Sequence, residues 1–353
     1  MPRRRYTPEE AALAREEKLA EFAERIERAV DQLVTGEDWL GAIAFAARFR
    51  SRSFLNTIAI YIQHQEAYGK GLVPEPLPSY VAGFKQWQQL GRQVAKGQPG
   101  YMILAPVTAA FASTDPAAGE WRRLERGERP RTGEYVSKRM VGVKPAYVWD
   151  ASQTTGDGPI PVRPMPRLLE GQAPAGLWDA LADEVVLDRG FTLSEVADAA
   201  TLGGANGQTD FLLRQVRVRG DMDEAARVKT LAHELGHVQL PDRDGGGVLE
   251  HRGIGEVEAE SFAAMLCACY GMDTAGYTVP YVAGWAETVK DKSPLEVMRA
   301  TGERVRLAVV KTLEHLPTPA IDDGTPPGLE AVRAATPTAE PEPAVAVRDG
   351  VRL

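Results

Sequence analysis

The sequence predicts an α+β fold in two domains. The chain has 353 residues, 44% of them hydrophobic, which is enough to form two separate cores. Residues 215–219 alternate apolar and polar side chains, as a half-exposed strand does. A capping-box pattern at Asp221 and Glu224 then predicts a helix from about 222 to 239. A strand that leads directly into a helix favours a mixed fold with a short mixed sheet.

The front of the chain is predicted to be an amphipathic helix followed by a small α+β domain. Residues 8–34 repeat apolar side chains at helical spacing among dense charge, so the segment 1–38 is expected to dock on the first domain, 39–155. Within that domain, a polar stretch at 112–131 predicts an inserted hairpin or loop before a strand at 146–149.

Proline and glycine mark the ends of the second domain. The stretch 156–166 is rich in both residues and is predicted to be a linker. The second domain is expected over 167–316, with a helix at 177–187 and a strand at 191–196. The last segment, 317–353, is rich in proline and has little apolar periodicity, which predicts a disordered tail.

The predicted helix of the second domain carries the pattern HExxH. Because about 3.6 residues make one helical turn, His233 and His237 project from the same face and can bind one metal ion. Glu234 lies roughly 100° around the helix, where it can serve as a general base toward water. This is the ligand and base set of a zinc hydrolase.

A catalytic zinc site needs a third protein ligand, which the sequence must supply after the motif. Arg243 stands where a third histidine would fall, so the ligand is a carboxylate or His251. Glu256 and Glu260 lie four residues apart on one face of a second predicted helix. Two stacked carboxylates repel one another unless a positive group lies beside them. The competing interpretation is a solvated acidic helix edge.

Charge is distributed unevenly along the chain. Residues 39–150 contain 15 Lys and Arg against 8 Asp and Glu, a net charge of +7, whereas residues 151–353 have a net charge of −12. A basic segment within an acidic chain indicates a site for a polyanion.

Aromatic side chains are interleaved with these cations. Stacking of bases on aromatic rings, together with cations on phosphates, is how single strands are bound without sequence readout. The alternative is that Phe84 and Trp87, three residues apart, are core residues of an amphipathic helix. The predicted nucleic-acid contacts are Arg50, Arg52, Lys85, Trp87, Arg92 and Lys96.

At this point the sequence resembles a known family. HELGH followed by E-x-x-x-E-x-x-A at residues 256–263 resembles zinc peptidases with a carboxylate third ligand. It is most similar to the zincin domain of ArdC-type antirestriction proteins and, less closely, to the ImmA/IrrE regulators. The resemblance implies a zincin-like metallopeptidase domain that binds Zn²⁺. In it, His233, His237 and Glu256 would be ligands, Glu234 the base and Glu260 the residue that orients a ligand.

The resemblance extends to the front half. Residues 80–97 are similar to the F-x-x-W-x-x-x-G-x-x-V-x-K-G signature of the ArdC-type N-terminal domain, and similar blocks occur at 53–63, 103–106 and 149–154. The resemblance implies a single-stranded DNA-binding domain and protection of incoming plasmid or phage DNA from restriction. Two alternatives stay open: a regulatory protease that cleaves a repressor, and a DNA-coating protein whose metal site is structural.

Composition limits the remaining classes. The two cysteines, Cys267 and Cys269, are two residues apart on a predicted helix and point to opposite sides, so they are expected to be small buried residues. No apolar run approaches the length of a membrane span, and the N-terminus is charged. These features predict a cytoplasmic protein that does not bind a membrane. The resemblance implies that its partners are single-stranded DNA and a protein or peptide substrate.

Overall fold

The protein was analysed as a computed structural model, which describes residues 7–30, 36–117, 119–125, 127–156, 171–241, 252–273 and 293–329. The chain contains both helices and strands, and the fold is mixed α+β, as predicted. None of the helices in these ranges is long and apolar enough to cross a membrane.

The front half consists of helices and a four-stranded antiparallel sheet. The sheet has the order β1-β5-β3-β4, and β2 pairs with β6 beside it. In the long hairpin of this sheet, Tyr101 pairs with Val148 and Ser113 with Tyr135, with a bulge after Val107. The elements are α1 (Pro8–Val30), α2 (Gly36–Ala47), α3 (Phe54–Gly69), β1 (Val81–Gly83), α4 (Phe84–Gln89), β2 (Arg92–Val94), β3 (Tyr101–Ser113), β4 (Arg122–Arg123), β5 (Tyr135–Asp150) and β6 (Thr154–Gly156).

The back half places helices against a three-stranded sheet of order β7-β9-β8. Strand β7 runs parallel to β9, whereas β8 is antiparallel to it and lies at the edge of the sheet. A π-helical turn, Glu184–Asp188, follows the first helix directly. The elements are α5 (Leu177–Asp183), β7 (Thr192–Val196), β8 (Gly207–Asp210), β9 (Gln215–Arg219), α6 (Glu224–Gln239), α7 (Arg252–Cys269) and α8 (Pro294–Leu313).

The largest hydrophobic core joins the two halves. It contains side chains of α2 and α3 together with those of α5 to α8, including the buried Cys267 and Cys269. The fully buried Trp39 of α2 donates a hydrogen bond from Nε1 to Ser261 Oγ of α7 at 2.8 Å. Because α2 contributes to the core of the back half, the two-domain division stays a prediction. The predicted linker falls almost entirely on residues 157–170, outside the described residues.

The predicted elements are found with shifted limits. The helix α1 lies within the predicted amphipathic segment, and its Phe22 and Ile26 pack on Ala59 of α3. The stretch 112–131 contains the end of β3 and the short β4, and the following strand is far longer than predicted. The helix α6 starts after the N-cap Asp223, whose side chain accepts a hydrogen bond from Ala226 N.

The start of the predicted disordered tail is ordered, so that prediction was wrong for residues 317–329. Ile321 and Leu329 are buried, and Ile321 N donates a hydrogen bond to Cys269 O at the end of α7. The hydroxyl of Tyr270 donates to Pro317 O. A few apolar anchors and backbone hydrogen bonds hold this segment despite its proline-rich composition.

Candidate functional site

The two histidines of the HExxH motif converge as predicted. The helix α6 places His233 and His237 one turn apart, with their Nε2 atoms separated by 3.1 Å. Their rings meet edge to face at 83°. Both nitrogens therefore point to the same position above the helix.

A close approach of α7 brings the carboxylates to this position. Gly236 makes the approach feasible, because a Cβ there would lie 2.8 Å from Ala259 Cα and 3.0 Å from its carbonyl oxygen. Glu256 Oε2 lies 3.5 Å from His233 Nε2, and Glu256 Oε1 lies 3.7 Å from His237 Nε2. Glu260 Oε2 accepts a hydrogen bond from His233 Nδ1 at 2.8 Å.

These distances fit a divalent metal ion. Two ligand atoms, each about 2.0 to 2.1 Å from an ion and at a tetrahedral angle, lie about 3.3 to 3.4 Å apart. The three measured separations of 3.1, 3.5 and 3.7 Å bracket that value. His233 Nδ1 donates a hydrogen bond to Glu260, so loss of the second ring proton would leave the lone pair of Nε2 directed at the position that it shares with His237 and Glu256. The residues implied by the resemblance are therefore brought together with the spacing of a ligand set.

The electrostatics of the cluster are those of a cation site. Burial disfavours the protonated ring of His233, but hydrogen bonds to Glu256 and Glu260 outweigh it and raise the pKa of His233 to about 10. Burial and the charge on His233 lower the pKa of His237 to about 4. The pair thus carries one positive charge at neutral pH, and a cation that binds both rings must displace the extra proton of His233.

Glu234 is held against the edge strand β8. Its side chain is 5% exposed, and burial raises the pKa of its carboxyl, which suits a general base. Thr209 Oγ1 donates a hydrogen bond to Glu234 Oε2 at 2.6 Å. A Cβ at Gly207 would lie 2.5 Å from Glu234 Oε1, so glycine lets the strand approach. The sequence analysis missed both residues, because β8 lacks the apolar alternation that marks a strand.

A buried ion pair supports α6 and α7, the two helices that carry the candidate ligands. Glu258, which faces away from the histidines, is nearly buried and binds Arg304 of α8 at 2.7 Å. Arg304 Nη2 also donates to Pro241 O, just past the end of α6. Arg304 was not predicted, because a lone arginine on a charged helix carries no sequence signal. The rival third ligand, His251, lies outside the described residues.

Most of the predicted nucleic-acid contacts have partners inside the fold. Trp87 is fully buried, and its Nε1 donates to Trp149 O at 3.0 Å. Arg92 is buried, and its Nε donates to Thr154 Oγ1 at 2.8 Å. A ring enclosed by protein has no face on which a base can stack. The DNA-binding interpretation of Trp87 and Arg92 is therefore corrected: these residues stabilise the fold.

Arg50 and Arg52 are also engaged by backbone carbonyls. Arg50 Nη1 donates to Ile321 O at 2.8 Å and Asp322 O at 2.9 Å, so it holds the segment after α8. Arg52 Nη2 donates to Val81 O at 2.5 Å. These guanidinium groups donate hydrogen bonds to backbone carbonyls within the fold. This use argues against the prediction that they contact phosphates.

The remaining predicted cations lie on an exposed surface with aromatic side chains. Lys85 and Lys96 are exposed. Phe84 is 45% exposed and Tyr147 is 39% exposed, and the Phe84 ring lies 6.1 Å from that of Trp149. The sequence analysis assigned the outward role to Trp87, because helical spacing cannot say which of two aromatic residues faces the core.

Two contacts connect lysine-bearing segments to Trp149 and Tyr147 of β5. Trp149 Nε1 donates to Gln98 O, in the loop that also carries Lys96. Lys18 of α1 lies 5.7 Å from the centre of the Tyr147 ring and is exposed as well. We call the side chains Lys18, Phe84, Lys85, Lys96 and Tyr147 the aromatic–lysine surface.

Comparison with known proteins places the front half in a family. Residues 14–149 match the N-terminal domain of the anti-restriction factor ArdC. The chain is 24% identical over 323 residues to an uncharacterized protein of Bacillus anthracis, pXO2-81, covering 84% of this chain and 52% of that protein. The chain thus spans about half the length of the curated relative that it matches.

Solved structures of ArdC were also found. The metal-free crystal structure of antirestriction ArdC protein from the R388 plasmid has a TM-score of 0.44 and 20% identity, covering 74% of this chain and 84% of that one. The Mn(II)-bound structure of the same protein has a TM-score of 0.43 and 20% identity, covering 74% and 83%. The family match over residues 14–149 confirms the resemblance of the front half to the ArdC-type N-terminal domain.

Proposed function

We propose that this ArdC-like protein binds single-stranded DNA on the aromatic–lysine surface and hydrolyses peptides at a zinc centre formed by His233, His237 and Glu256. The combined activities would protect incoming plasmid or phage DNA. The convergence of three ligand-type side chains from two helices, with Glu234 beside them, carries the proposal. The back half would then be a zincin-like metallopeptidase domain.

The chemistry follows from the side chains around the ligand set. A divalent ion held by them would polarise a carbonyl group and make a nearby water molecule more acidic. Glu234 would accept a proton from a water molecule in the cleft and return it to the leaving amine. Its raised pKa, caused by burial, suits both transfers. Thr209 would hold the carboxylate in one rotamer through its hydrogen bond to Oε2.

The DNA part of the proposal depends on exposure and charge. The predicted cations that remain exposed are Lys85, which follows Phe84 in the chain, and Lys96, in the loop whose Gln98 accepts a hydrogen bond from Trp149. Exposed rings offer π-faces to bases, and flexible lysines neutralise phosphates without reading sequence. This arrangement favours a single strand, whose bases can unstack onto the rings, over a duplex.

Peptide cleavage is tested most directly with Glu234→Gln. Purified, zinc-loaded protein is incubated with a proteome-derived peptide library, and new peptide ends are counted by mass spectrometry. We expect cleavage by the wild type and loss of at least 100-fold in Glu234→Gln, since general acid–base catalysis contributes about 10² to 10⁴. The matched control is Glu224→Gln, an exposed position on the same helix. Equal cleavage by Glu234→Gln and wild type would refute the hydrolytic mechanism.

A second function, protection by coating alone, is favoured by one observation. Glu234 is 5% exposed and hydrogen-bonded to β8, so a structural role in joining α6 to the sheet is compatible with its position. Coating predicts that Glu234→Gln still protects transferred DNA from restriction in cells. It also predicts that Lys85→Ala combined with Lys96→Ala loses protection. The peptidase proposal predicts that either change impairs it.

A further inference from the structure

A second cluster of ligand-type side chains lies away from the HExxH centre. Among the described residues, Glu184, Asp188 and His315 each bring one ligand atom within 4.8 Å of the others. We infer that these three residues form a second site for a divalent transition-metal ion. The inference does not depend on peptide cleavage or on DNA binding.

Two separate elements supply the ligands. Glu184 and Asp188 are the ends of the π-helical turn after α5, and the wide π turn brings residues four apart to the same side. His315 stands just past the end of α8. Its Nδ1 lies 2.9 Å from Glu184 Oε2 and 3.6 Å from Asp188 Oδ2. These separations resemble those of the first centre and bracket the value of about 3.3 to 3.4 Å for tetrahedral ligands.

Glu184 is oriented as a metal ligand is. Its side chain is 1% exposed, although it is an ionisable carboxylate. Gln239 Nε2 donates to Glu184 Oε1 at 2.6 Å, which leaves Oε2 directed at His315. A hydrogen bond that fixes one carboxylate oxygen while the other coordinates is the usual support of a metal ligand. A buried, oriented carboxylate paired with an imidazole distinguishes the cluster from a solvated acidic patch.

Charge and access favour an ion. Arg189 approaches Glu184 Oε1 at 3.5 Å. With His315 neutral, as metal binding requires, the charges of Glu184, Asp188 and Arg189 sum to −1. Asp188 and His315 are each 47% exposed at the side chain, which admits an ion and the waters that complete its coordination. Two carboxylates and one imidazole suit Zn²⁺ or Mn²⁺.

The site would link three helices near the first centre. Through Gln239, Glu184 reaches the last residue of α6, two residues after His237. An ion here would join the π turn to the end of α8 and hold the end of α6 in place. Its role would be support of the first centre, since no general base accompanies it among the described side chains.

The test is the number of ions bound per full-length chain. Metal-stripped protein is equilibrated with Zn²⁺, and in a parallel arm with Mn²⁺, and the bound metal is measured by plasma mass spectrometry. We expect two equivalents in the wild type, one in His233→Ala, one in Asp188→Asn and none in the double variant. Asp188→Asn leaves the Glu184–His315 hydrogen bond in place, so the variant should fold. The control is Glu314→Gln, an exposed neighbour that should keep two equivalents.

The results that overturn the inference are equally specific. A full complement of metal in Asp188→Asn, or no metal at all in His233→Ala, would show that Glu184 and His315 form an ion pair only. A loss of one equivalent in His233→Ala is a result about the HExxH centre and leaves the second site intact. The two sites are therefore separately testable.

Discussion

The proposed metal centre and the aromatic–lysine surface differ in how well sequence spacing determines them. In the metal centre, the side chains expected to act together do lie together: His233, His237 and Glu256 are within ligand spacing. On the surface, two of the predicted nucleic-acid contacts, Trp87 and Arg92, are buried and hydrogen-bonded inside the fold. A motif on one helix fixes its own geometry, whereas composition fixes only the total charge of a region.

The physical reason is the number of hydrogen bonds that each type of side chain can donate to backbone carbonyls. Backbone carbonyls left over at helix ends and strand ends need donors, and an arginine nearby supplies several. Arg50 and Arg52 do this here, which the sequence could not reveal because their acceptors, Ile321 and Val81, are distant along the chain. The lysines have single, flexible ammonium groups and stay exposed.

The largest expected effect comes from Gly236→Ala. The added methyl group would meet the backbone of Ala259 at 2.8 Å and must separate α6 from α7. We expect loss of metal at the HExxH centre and a stability decrease of about 1 to 3 kcal/mol, the cost of overpacking. The control, Gly255→Ala, has open space around the new methyl group and should keep both properties. Metal analysis and denaturant unfolding measure these two changes. Normal metal content in Gly236→Ala would mean that the spacing of side chains in the HExxH centre does not depend on the close approach of α6 and α7.

Arg304→Ala should have the next largest effect. The change leaves Glu258 nearly buried without its guanidinium and removes the hydrogen bond to Pro241 O. Breaking a buried pair costs about 3 to 5 kcal/mol, and the partial exposure of Arg304 reduces this to about 2 to 3 kcal/mol. Urea unfolding measures the loss. Arg299→Ala, at an exposed site on the same helix, should change stability little, and an equal loss there would indicate a general effect of charge.

On the aromatic–lysine surface, Phe84→Ala should weaken binding to a single-stranded oligonucleotide. Loss of one stacked base costs about 1 to 3 kcal/mol, which fluorescence anisotropy at fixed salt resolves. Phe211→Ala, which removes an equally exposed ring in the back half, serves as the control and should bind normally. Unchanged affinity in Phe84→Ala would mean that the oligonucleotide does not stack on Phe84 and binds at another surface.

The smallest effect is a pH dependence of stability caused by His64 in the front half. Burial lowers the pKa of His64 below its ordinary value of 6.5. Its Nε2 donates to Glu75 O, and its Nδ1 accepts from the Tyr101 hydroxyl, which fits a neutral ring. Because the unfolded chain takes up the proton first, the contribution is present above pH 6.5 and declines as the pH falls toward the lowered folded pKa.

This pH dependence can be isolated with His64→Gln, which does not titrate. The free energy of unfolding of the wild type, relative to that of the variant, should fall between pH 7.5 and pH 5.5. A difference that stays constant over this range would mean that the pKa of His64 is the same in the folded and the unfolded protein.

Particular residues show which parts of the fold and of the candidate site could be predicted from the sequence. The ligand helix and both of its histidines follow from a 3.6-residue period, and the carboxylate helix follows from a spacing of four. Thr209 and Gly207 could not be predicted, because their contacts with Glu234 depend on where an irregular edge strand crosses α6. The ordered segment after α8 was missed because its buried apolar residues Ile321 and Leu329 are too far apart to give a periodic pattern.

The central claim is that Glu256 completes a metal site with His233 and His237. The most direct measurement is the amount of Zn²⁺ bound per chain in Glu256→Gln compared with the wild type and with Glu224→Gln. We predict that Glu256→Gln binds one equivalent less than either of the others after equilibration at neutral pH. Equal metal content in all three proteins would contradict the claim, because the third ligand would then have to be another residue.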